Sequence, residues 1–288
     1  MDASTAQGGL TGLAQVSSGA PHCTPELATA IELVEARHGE VRFRQTVPPG
    51  LGPTDQPPPA LLGMLVDTAL GRSALTTAPA GGGCRTASLR IDLLDAWLYG
   101  GESLVGSATV VGSRGLLVHA LGDVRGRDGR TVALASGWFA ILDDDPDPDT
   151  GGGHLVDTPA ADPRTLHDLV RARVATDVRP EVGTDVLLDL CSLPGTANRK
   201  GTMHGGMQVA MAETALHELV RAHDPRAHLL ASVDVTMHRP IPVGAPLTGH
   251  GRVVRAGRRI VTAEFEVRGP AERLLLSCHG TLTPDVVP

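Results

Sequence analysis

Apolar and polar residues alternate along two sets of segments in this chain, and the sets are separated by a stretch without either periodicity. Alternation with a period of two is typical of strands that bury one face. In the first set it predicts strands over 88–94, 102–111, 116–125 and 131–142. In the second set it predicts strands over 232–238, 246–254, 260–267 and 273–282.

The segments before each set of strands also follow one order. An amphipathic helix is predicted first, over 25–36 in one half and 164–174 in the other. A short strand comes next, at 41–44 and 187–190, followed by a loop and a longer helix rich in small and apolar residues. One long helix wrapped by an antiparallel sheet is an α+β arrangement, and the pattern predicts it twice.

The two halves are related by an internal repeat with an offset of 146 residues. The segment LVDTAL at 65–70 recurs as MAETAL at 211–216, and the same offset carries 86–89 onto 232–235. We therefore predict two copies of one domain, over 23–142 and 164–285. The acidic segment between them, 143–163, is broken by proline and glycine and is predicted to be a linker. Residues 1–22 have little apolar content and are predicted to be disordered.

Composition narrows the classes of function. The chain has 288 residues, 41% of them hydrophobic, and a net charge of −7, which argues against a dedicated nucleic-acid binder. No apolar run reaches the roughly 20 residues that a membrane helix needs, and the N-terminus does not resemble a secretory signal. Four scattered cysteines fit reduced thiols, so a cytoplasmic protein is expected.

One motif makes the prediction of fold more specific. Asn198, Gly201 and His204-Gly205-Gly206, with Glu213 nine residues after the histidine, resemble the NxxGxxHGG…D/E signature of hotdog thioesterases. The phenylacetate-pathway group, of the 4-hydroxybenzoyl-CoA thioesterase type, is the most similar. The resemblance covers most of both halves, although only the second has the full signature. It implies two tandem hotdog domains that form an intramolecular pseudo-dimer and hydrolyse an acyl-CoA to free acid and CoA, without cofactor or metal.

The His204-Gly205-Gly206 turn is the predicted site for the thioester carbonyl. The first turn of a helix leaves N–H groups unpaired at the positive end of the helix dipole, and such groups stabilise a developing oxyanion. The resemblance assigns the donor to Gly205, with Gly206 beside it as a substrate-binding residue. It implies that Asn198 and His204 position the carbonyl and the attacking water. The adjacent cations, Arg199 and Lys200, are candidates for binding a phosphate of CoA.

Two carboxylates, Asp67 and Glu213, lie in the two long helices at equivalent positions of the repeat. Nine helical residues span about 13 Å, so Glu213 cannot reach a carbonyl held at the start of its own helix. We therefore expect a site shared between the repeats. Asp67, accompanied by the Thr86 hydroxyl, should serve the turn of the second repeat as nucleophile or as general base.

A reciprocal second site would join Glu213 and Ser232 to the loop of the first repeat. The offset places Pro59 where the second repeat has Gly205, and proline has no N–H to donate. We therefore expect the second site to be inactive.

Two alternatives were compared with hydrolysis. Hotdog hydratases and dehydratases pair an acid with a histidine, five residues later or across the dimer, and this pairing is predicted to be missing, since Gly71 and Arg72 follow Asp67. A non-catalytic acyl-CoA-binding or regulatory module also fits the degenerate first half. Glu213 and His217 are four residues apart on one helix, but no third metal ligand is evident. Association of pseudo-dimers into a larger homo-oligomer stays open.

Overall fold

The computed structural model describes residues 11–17, 23, 25–26, 29–47, 59–95, 102–143, 170–174, 180–192 and 194–284. Apart from Asp143, the predicted linker at 143–163 lies outside these residues, and so do residues 1–10 and 18–22 of the N-terminal segment. The domain boundaries at these segments therefore stay predictions.

Each repeat contributes six strands to one antiparallel sheet. The first repeat provides β1 (Ile31–Arg37), β2 (Glu40–Thr46), β3 (Gly83–Leu93), β4 (Ser103–Arg114), β5 (Leu117–Arg125) and β6 (Thr131–Leu142). The second provides β7 (Val170–Val174), β8 (Val186–Ser192), β9 (His228–Met237), β10 (Leu247–Ala256), β11 (Val261–Gly269) and β12 (Arg273–Pro284). The strand order is β1-β2-β4-β5-β6-β3-β9-β12-β11-β10-β8-β7, so the second half repeats the order of the first in reverse.

The repeats meet at the centre of this sheet, where β3 pairs with β9. The pairs run from Ser88 opposite Thr236 to Asp92 opposite Ser232. Because the strand order reads the same from both outer edges, the two repeats are related by an approximate two-fold axis through this pair. The predicted α+β pseudo-dimer of two hotdog repeats is confirmed.

Two long helices pack against the sheet and against each other. Helix α2 (Pro59–Leu75) lies on the strands of the first repeat, and α3 (Gly205–His223) lies on those of the second; a short helix, α1 (Gly12–Ser17), precedes both. The first residues of α2 and α3 are 146 positions apart, the offset that the sequence repeat predicts. The predicted equivalence of Pro59 and Gly205 therefore holds at the level of the helix starts.

The core lies between the helices and the inner face of the sheet. Phe139 of β6 and Phe265 of β11 are its largest fully buried side chains, together with Met64, Leu65 and Leu70 of α2. A Cβ atom at Gly71 would lie 3.5 Å from the ring of Phe139, which shows how closely α2 sits on β6. Aliphatic residues supply most of the rest, as expected for a chain with so few aromatic residues.

The predicted amphipathic helices at 25–36 and 164–174 are wrong for most of the residues that the structure describes there, although residues 25–26 are helical. Residues 31–37 form β1 and residues 170–174 form β7. In the first repeat the cause is a tight turn at His38-Gly39, which returns the chain into β2. Gly39 has φ of +76°, and its N–H donates a hydrogen bond to Oγ1 of Thr76 at 2.7 Å. A helical reading of the sequence cannot include that turn.

Within the N-terminal segment that was predicted to be disordered, residues 12–17 form the short helix α1. Helix α1 packs against β1 and α2, and its Val16 is buried. The Gly12 N–H donates a hydrogen bond to the carbonyl of Ala78, and a Cβ at Gly12 would lie 1.9 Å from the carbonyl oxygen of Leu75. A glycine is therefore what allows this short helix to lie so close to the end of α2.

Candidate functional site

Asp67 lies in the middle of α2, with 6% of its surface exposed. Three groups contact its carboxylate, one from the first repeat and two from the second. Oδ1 accepts a hydrogen bond from Oγ1 of Thr86 at 2.9 Å, and Oδ2 accepts one from the Gly206 N–H at 2.9 Å. Nδ1 of His204 is 3.4 Å from Oδ2. The structure therefore brings Asp67 and Thr86 of the first repeat together with the glycine turn of the second.

Thr86 reaches Asp67 because of a β-bulge in β3. Thr86 pairs with Phe139 and Ser88 pairs with Trp138, so Ala87 is the additional residue. Side chains alternate between the two faces of a strand, and a bulge shifts that alternation by one. Phe139 points into the core, and its partner Thr86 therefore faces the helices as well. Without the bulge the hydroxyl would point away from Asp67.

His204 and the two glycines form the start of α3. His204 is the N-cap residue, and its Nδ1 accepts the Gly206 N–H at 3.1 Å, a bond that Gly206 shares with Asp67. Gly205 is the first helical residue, so its N–H has no partner four residues earlier in the helix. A Cβ at Gly205 would lie 2.5 Å from Oδ2 of Asp67. Glycine is therefore required there for the carboxylate to approach the backbone.

The two helices cross in antiparallel orientation at this point. Gly205 lies against Asp67, and four residues further along α3, Val209 lies against Gly63, four residues earlier in α2. Continued for one more turn, the same progression predicts that Glu213 lies opposite Pro59. Only one of the two helix starts has an N–H, because proline has none to donate.

The His204 ring lies between Asp67 on one side and Cys23 and Glu26 on the other. Nε2 is 3.8 Å from Oε1 of Glu26, and the side chain is only 11% exposed. Burial, the largest single effect, lowers the pKa of His204. The nearby Cys23 and Glu26 side chains and the charge of Asp67 outweigh it, and the pKa of His204 is raised well above its ordinary value.

Glu26 is held in turn by Arg72, one helical turn and a half after Asp67 in α2. The Arg72 guanidinium donates to Oε1 at 3.0 Å and to Oε2 at 3.3 Å. Both side chains are largely buried, with exposed fractions of 5% and 16%. Sequence reasoning missed Glu26, Arg72 and Cys23, because no periodicity or motif links these positions to the HGG turn.

Cys23, Glu26 and His204 are also the one group in the described part of the chain whose ligand atoms lie within 4.8 Å of one another, close enough for a metal ion. Their existing bonds point to another use. Since Nδ1 of His204 accepts from Gly206, the neutral ring carries its proton on Nε2, the atom that a metal would need. Glu26 is already paired with Arg72. We assign the three side chains to a hydrogen-bonded network.

Asn198 lies in the turn that precedes the glycine turn, and its side chain organises that turn. Oδ1 accepts the N–H groups of Lys200 and Thr202, and Nδ2 donates to Oγ1 of Thr202 at 2.9 Å. The structure therefore places Asn198 in the loop rather than against Asp67. In the same turn Lys200 is exposed and Arg199 is half-buried, and their contact with a CoA phosphate stays a prediction.

Glu213 has surroundings unlike those of Asp67. It is 2% exposed, and its Oε2 has no hydrogen-bond partner among the described residues. Burial raises its pKa well above the ordinary value for a glutamate. At this position the carboxyl group is therefore favoured in its neutral form.

The expectation that Ser232 accompanies Glu213 is wrong. Ser232 pairs with Thr281, while the next pair, Val233 with Gly280, faces α3, since a Cβ at Gly280 would touch Leu216. Ser232 therefore points to the opposite face of the sheet. The bulge of β9 lies at Ala231, two residues earlier than the repeat offset predicts, so the residue that corresponds to Thr86 is Leu230.

Comparisons with known proteins agree with this fold. Residues 200–275 match the family model described as the thioesterase superfamily. No curated protein matches the chain in sequence. Within the described residues, no helix combines the length and apolar character needed to cross a membrane.

Three solved structures cover nearly the whole chain. A tesB protein of Mycobacterium avium subspecies paratuberculosis has a TM-score of 0.67 at 14% identity, over 92% of this chain and 100% of its own. An acyl-CoA thioesterase II, TesB2, of Mycobacterium marinum has a TM-score of 0.64 at 12% identity, over 90% and 97%. A conserved protein of unknown function with a hot dog fold, from Alicyclobacillus acidocaldarius, has a TM-score of 0.61 at 14% identity, over 93% and 100%.

At these identities the similarity establishes the shared architecture of the full chain, while the family match covers the segment from the glycine turn to β12. The chain is a tandem hotdog-fold protein whose second repeat carries the sequence signature of the thioesterase superfamily.

Proposed function

We propose that the chain hydrolyses acyl-CoA thioesters at one composite site, formed by Asp67 and Thr86 of the first repeat and the His204-Gly205-Gly206 turn of the second. The observation that carries the proposal is the contact of Asp67 with this turn across the helix interface. A carboxylate and an unpaired helix N-terminus are the two groups that attack on a thioester carbonyl requires.

The chemistry assigns one role to each group. The Gly205 N–H, at the positive end of α3, donates to the carbonyl oxygen as negative charge develops there. Asp67, oriented by the Thr86 hydroxyl, takes a proton from the attacking water, or attacks the carbonyl itself. In the first case the water oxygen forms the new C–O bond, the C–S bond breaks, and the proton that Asp67 took from water passes to the thiolate of CoA. In the second case Asp67 forms a mixed anhydride as the C–S bond breaks; water then hydrolyses the anhydride, which restores Asp67, and a proton of this water passes to the thiolate. The products are the free acid and CoA.

CoA as the thiol component rests on two supports. One is the name of the structural neighbour from Mycobacterium marinum, an acyl-CoA thioesterase II. The other is the pair of cations, Arg199 and Lys200, in the turn beside the site. Phosphate groups bind preferentially to such donors, although isolated surface ion pairs contribute little on their own. We propose the same site to act without metal, since its N–H donor and carboxylate supply the polarisation and the base.

The test is a panel of acyl-CoAs with a thiol-reactive dye, run with wild type, Asp67→Asn and Glu213→Gln. We expect wild type to release thiol at neutral pH in the presence of a chelator. Asp67→Asn should lose roughly 100- to 10,000-fold in kcat, the range that a general base contributes. Glu213→Gln is the matched control and should keep most of the activity, since its carboxyl group faces Pro59.

Two results would contradict the proposal. One is wild-type protein that binds acyl-CoA without releasing thiol, which would favour the non-catalytic module. The other is an inactive Glu213→Gln beside a nearly normal Asp67→Asn, which would reverse the assignment of the sites. Activity that a chelator removes and zinc restores would contradict metal independence alone.

A further inference from the structure

We propose that Glu26, held by Arg72, is a positioning residue that fixes the orientation and tautomer of His204 opposite Asp67. The proposal deepens the proposed function and rests on it for the catalytic consequence. Its structural part, the state of the His204 ring, is testable without substrate.

The first step in the argument is the order of the contacts. Arg72 donates to Glu26, Glu26 lies 3.8 Å from Nε2 of His204, and Nδ1 of His204 lies 3.4 Å from Asp67. Arg72 and Asp67 are both on α2, so one helix holds both ends of this chain of contacts. His204 is thereby clamped between two carboxylates whose spacing the helix sets.

The second step concerns the proton on the ring. The Gly206 N–H donates to Nδ1, which must therefore be the unprotonated nitrogen of a neutral ring. The proton then lies on Nε2, which faces Glu26 and Cys23, and an acceptor there selects this tautomer. Glu26, paired with the Arg72 guanidinium, is the carboxylate nearest to Nε2.

The third step is the consequence for the site. With the proton held on Nε2, Nδ1 holds the Gly206 N–H in place at the start of α3 and faces the carboxylate of Asp67. When the ring is neutral, Nδ1 can accept the proton that Asp67 has taken from water. The Gly206 N–H then keeps only its bond to Oδ2 of Asp67, and the resulting imidazolium is stabilised by Glu26. The titratable groups that face the ring are Cys23, Glu26 and Asp67, and Arg72 acts through Glu26.

The cost of burying Glu26 supports a role beyond stability. Breaking a buried pair by removing one partner costs about 3–5 kcal/mol, whereas replacing both partners by apolar groups is often neutral. A buried Glu–Arg pair is thus a poor way to stabilise a core. Its position against the ring of the N-cap histidine gives it a function that an apolar pair could not supply.

The test compares Glu26→Gln with Glu102→Gln. The control breaks a similar pair in the same repeat, since Glu102 accepts from Arg130 at 2.7 Å and is 11% exposed, but nothing described connects it to His204. Above the raised pKa of His204, where the ring is neutral, nitrogen NMR should show a protonated Nε2 and a bare Nδ1 in wild type and in Glu102→Gln. In Glu26→Gln we expect a mixture of tautomers and a lower pKa of His204.

The kinetic arm separates positioning from stability. Glu26→Gln should lower kcat by roughly 10- to 100-fold with little change in KM. This loss is smaller than the roughly 100- to 10,000-fold that acid–base groups contribute, because Glu26 acts through His204. The limb of the pH profile that belongs to His204 should move to lower pH. Glu102→Gln should change only thermal stability. If Glu26→Gln does not fold, Glu26→Gln with Arg72→Met removes the unpaired guanidinium and should show the same change in the ring.

An unchanged His204 tautomer and pKa in a folded Glu26 variant would overturn the proposal, whatever the activity. Stoichiometric metal in the purified protein would also overturn it, because Nε2 would then be a ligand. If wild type hydrolyses no acyl-CoA while the NMR result holds, the positioning of His204 stands and the proposed reaction fails.

Discussion

At the scale of residues, Asp67 and Glu213 are equivalent acidic side chains whose hydrogen-bonding surroundings differ. Both are buried in the middle of a long helix at equivalent positions of the repeat. Asp67 accepts hydrogen bonds from Thr86 and from the Gly206 N–H, whereas Oε2 of Glu213 has no partner among the described residues. Donors stabilise a carboxylate, and burial without them favours the neutral acid.

Glu213 should therefore make the stability of the protein depend on pH. Its pKa is raised in the folded state, while in the unfolded chain it titrates near the usual value of about 4.3. Between these two pKa values the folded state holds the extra proton, so stability falls as pH rises, by at most about 1.4 kcal/mol per pH unit. Glu213→Gln mimics the neutral acid and should raise the Tm at pH 7 to 8, with the difference vanishing towards pH 4.

Thermal denaturation of both proteins across pH 4 to 8 checks this expectation. Glu40→Gln, at an exposed position of β2, is the control and should leave the dependence of Tm on pH unchanged. A Glu213→Gln protein that is less stable than wild type at pH 8 would contradict the neutral carboxyl group.

At the scale of elements, two adjacent glycines at the start of α3 have different functions. A Cβ at Gly205 would lie 2.5 Å from Oδ2 of Asp67, at the end of a side chain. A Cβ at Gly206 would lie 2.6 Å from Cα of Met64, in the backbone of α2. The first glycine makes room for a carboxylate, and the second allows the two helices to touch.

Substituting the two glycines should separate these functions. Gly205→Ala pushes the carboxylate out of its bond with Thr86, so activity should fall about as far as in Asp67→Asn while Tm changes little. Gly206→Ala forces the helices apart, and overpacking of this kind costs about 1–3 kcal/mol. We expect its Tm to fall by several degrees, measured by calorimetry beside the thiol-release assay. A stable, active Gly205→Ala protein would contradict the close approach of Asp67.

Sequence reasoning reached the helices and most strands, because their periodicity is strong and the repeat supplies a second copy of each. It failed at β1, where a seven-residue strand before His38-Gly39 has apolar spacing that also suits a helix. It failed again at Ser232. The bulge of β9 lies two residues earlier than the repeat offset predicts from the bulge of β3, and a constant offset cannot reveal such a shift. Asp67, Thr86 and the glycine turn were found from a motif, whereas Glu26 and Arg72 meet His204 only through tertiary structure.

At the scale of the whole molecule, the two repeats form one structural unit. Strand β3 pairs with β9 at the centre of the sheet, and α2 packs along α3. Separating the repeats would expose unpaired strand edges and the apolar faces of both helices, which include Met64, Met207 and Val209. The site lies at the same contact, so its geometry depends on the repeats staying together.

Cutting the chain within 143–163 should therefore leave the halves associated. A protease site placed in this segment allows the cut, and size-exclusion chromatography measures the result. We expect one species of the uncut size, with thiol-releasing activity retained, and two fragments only under denaturing conditions. Halves that elute as separate, folded monomers would show that the contact between the repeats is not needed for folding.

The β-bulge at Ala87 also determines how a second active site could be engineered into this protein. Aligning the repeats by sequence suggests that Pro59→Gly alone would complete the second site, since Ser232 would already lie beside Glu213. The strand register says otherwise, because the position that faces α3 is Leu230 and Ser232 lies on the far side of the sheet. A symmetric redesign would have to place its hydroxyl at Leu230 and supply donors for Glu213. The two repeats therefore differ in strand register as well as in residue type, and point substitutions alone would not make the two sites equivalent.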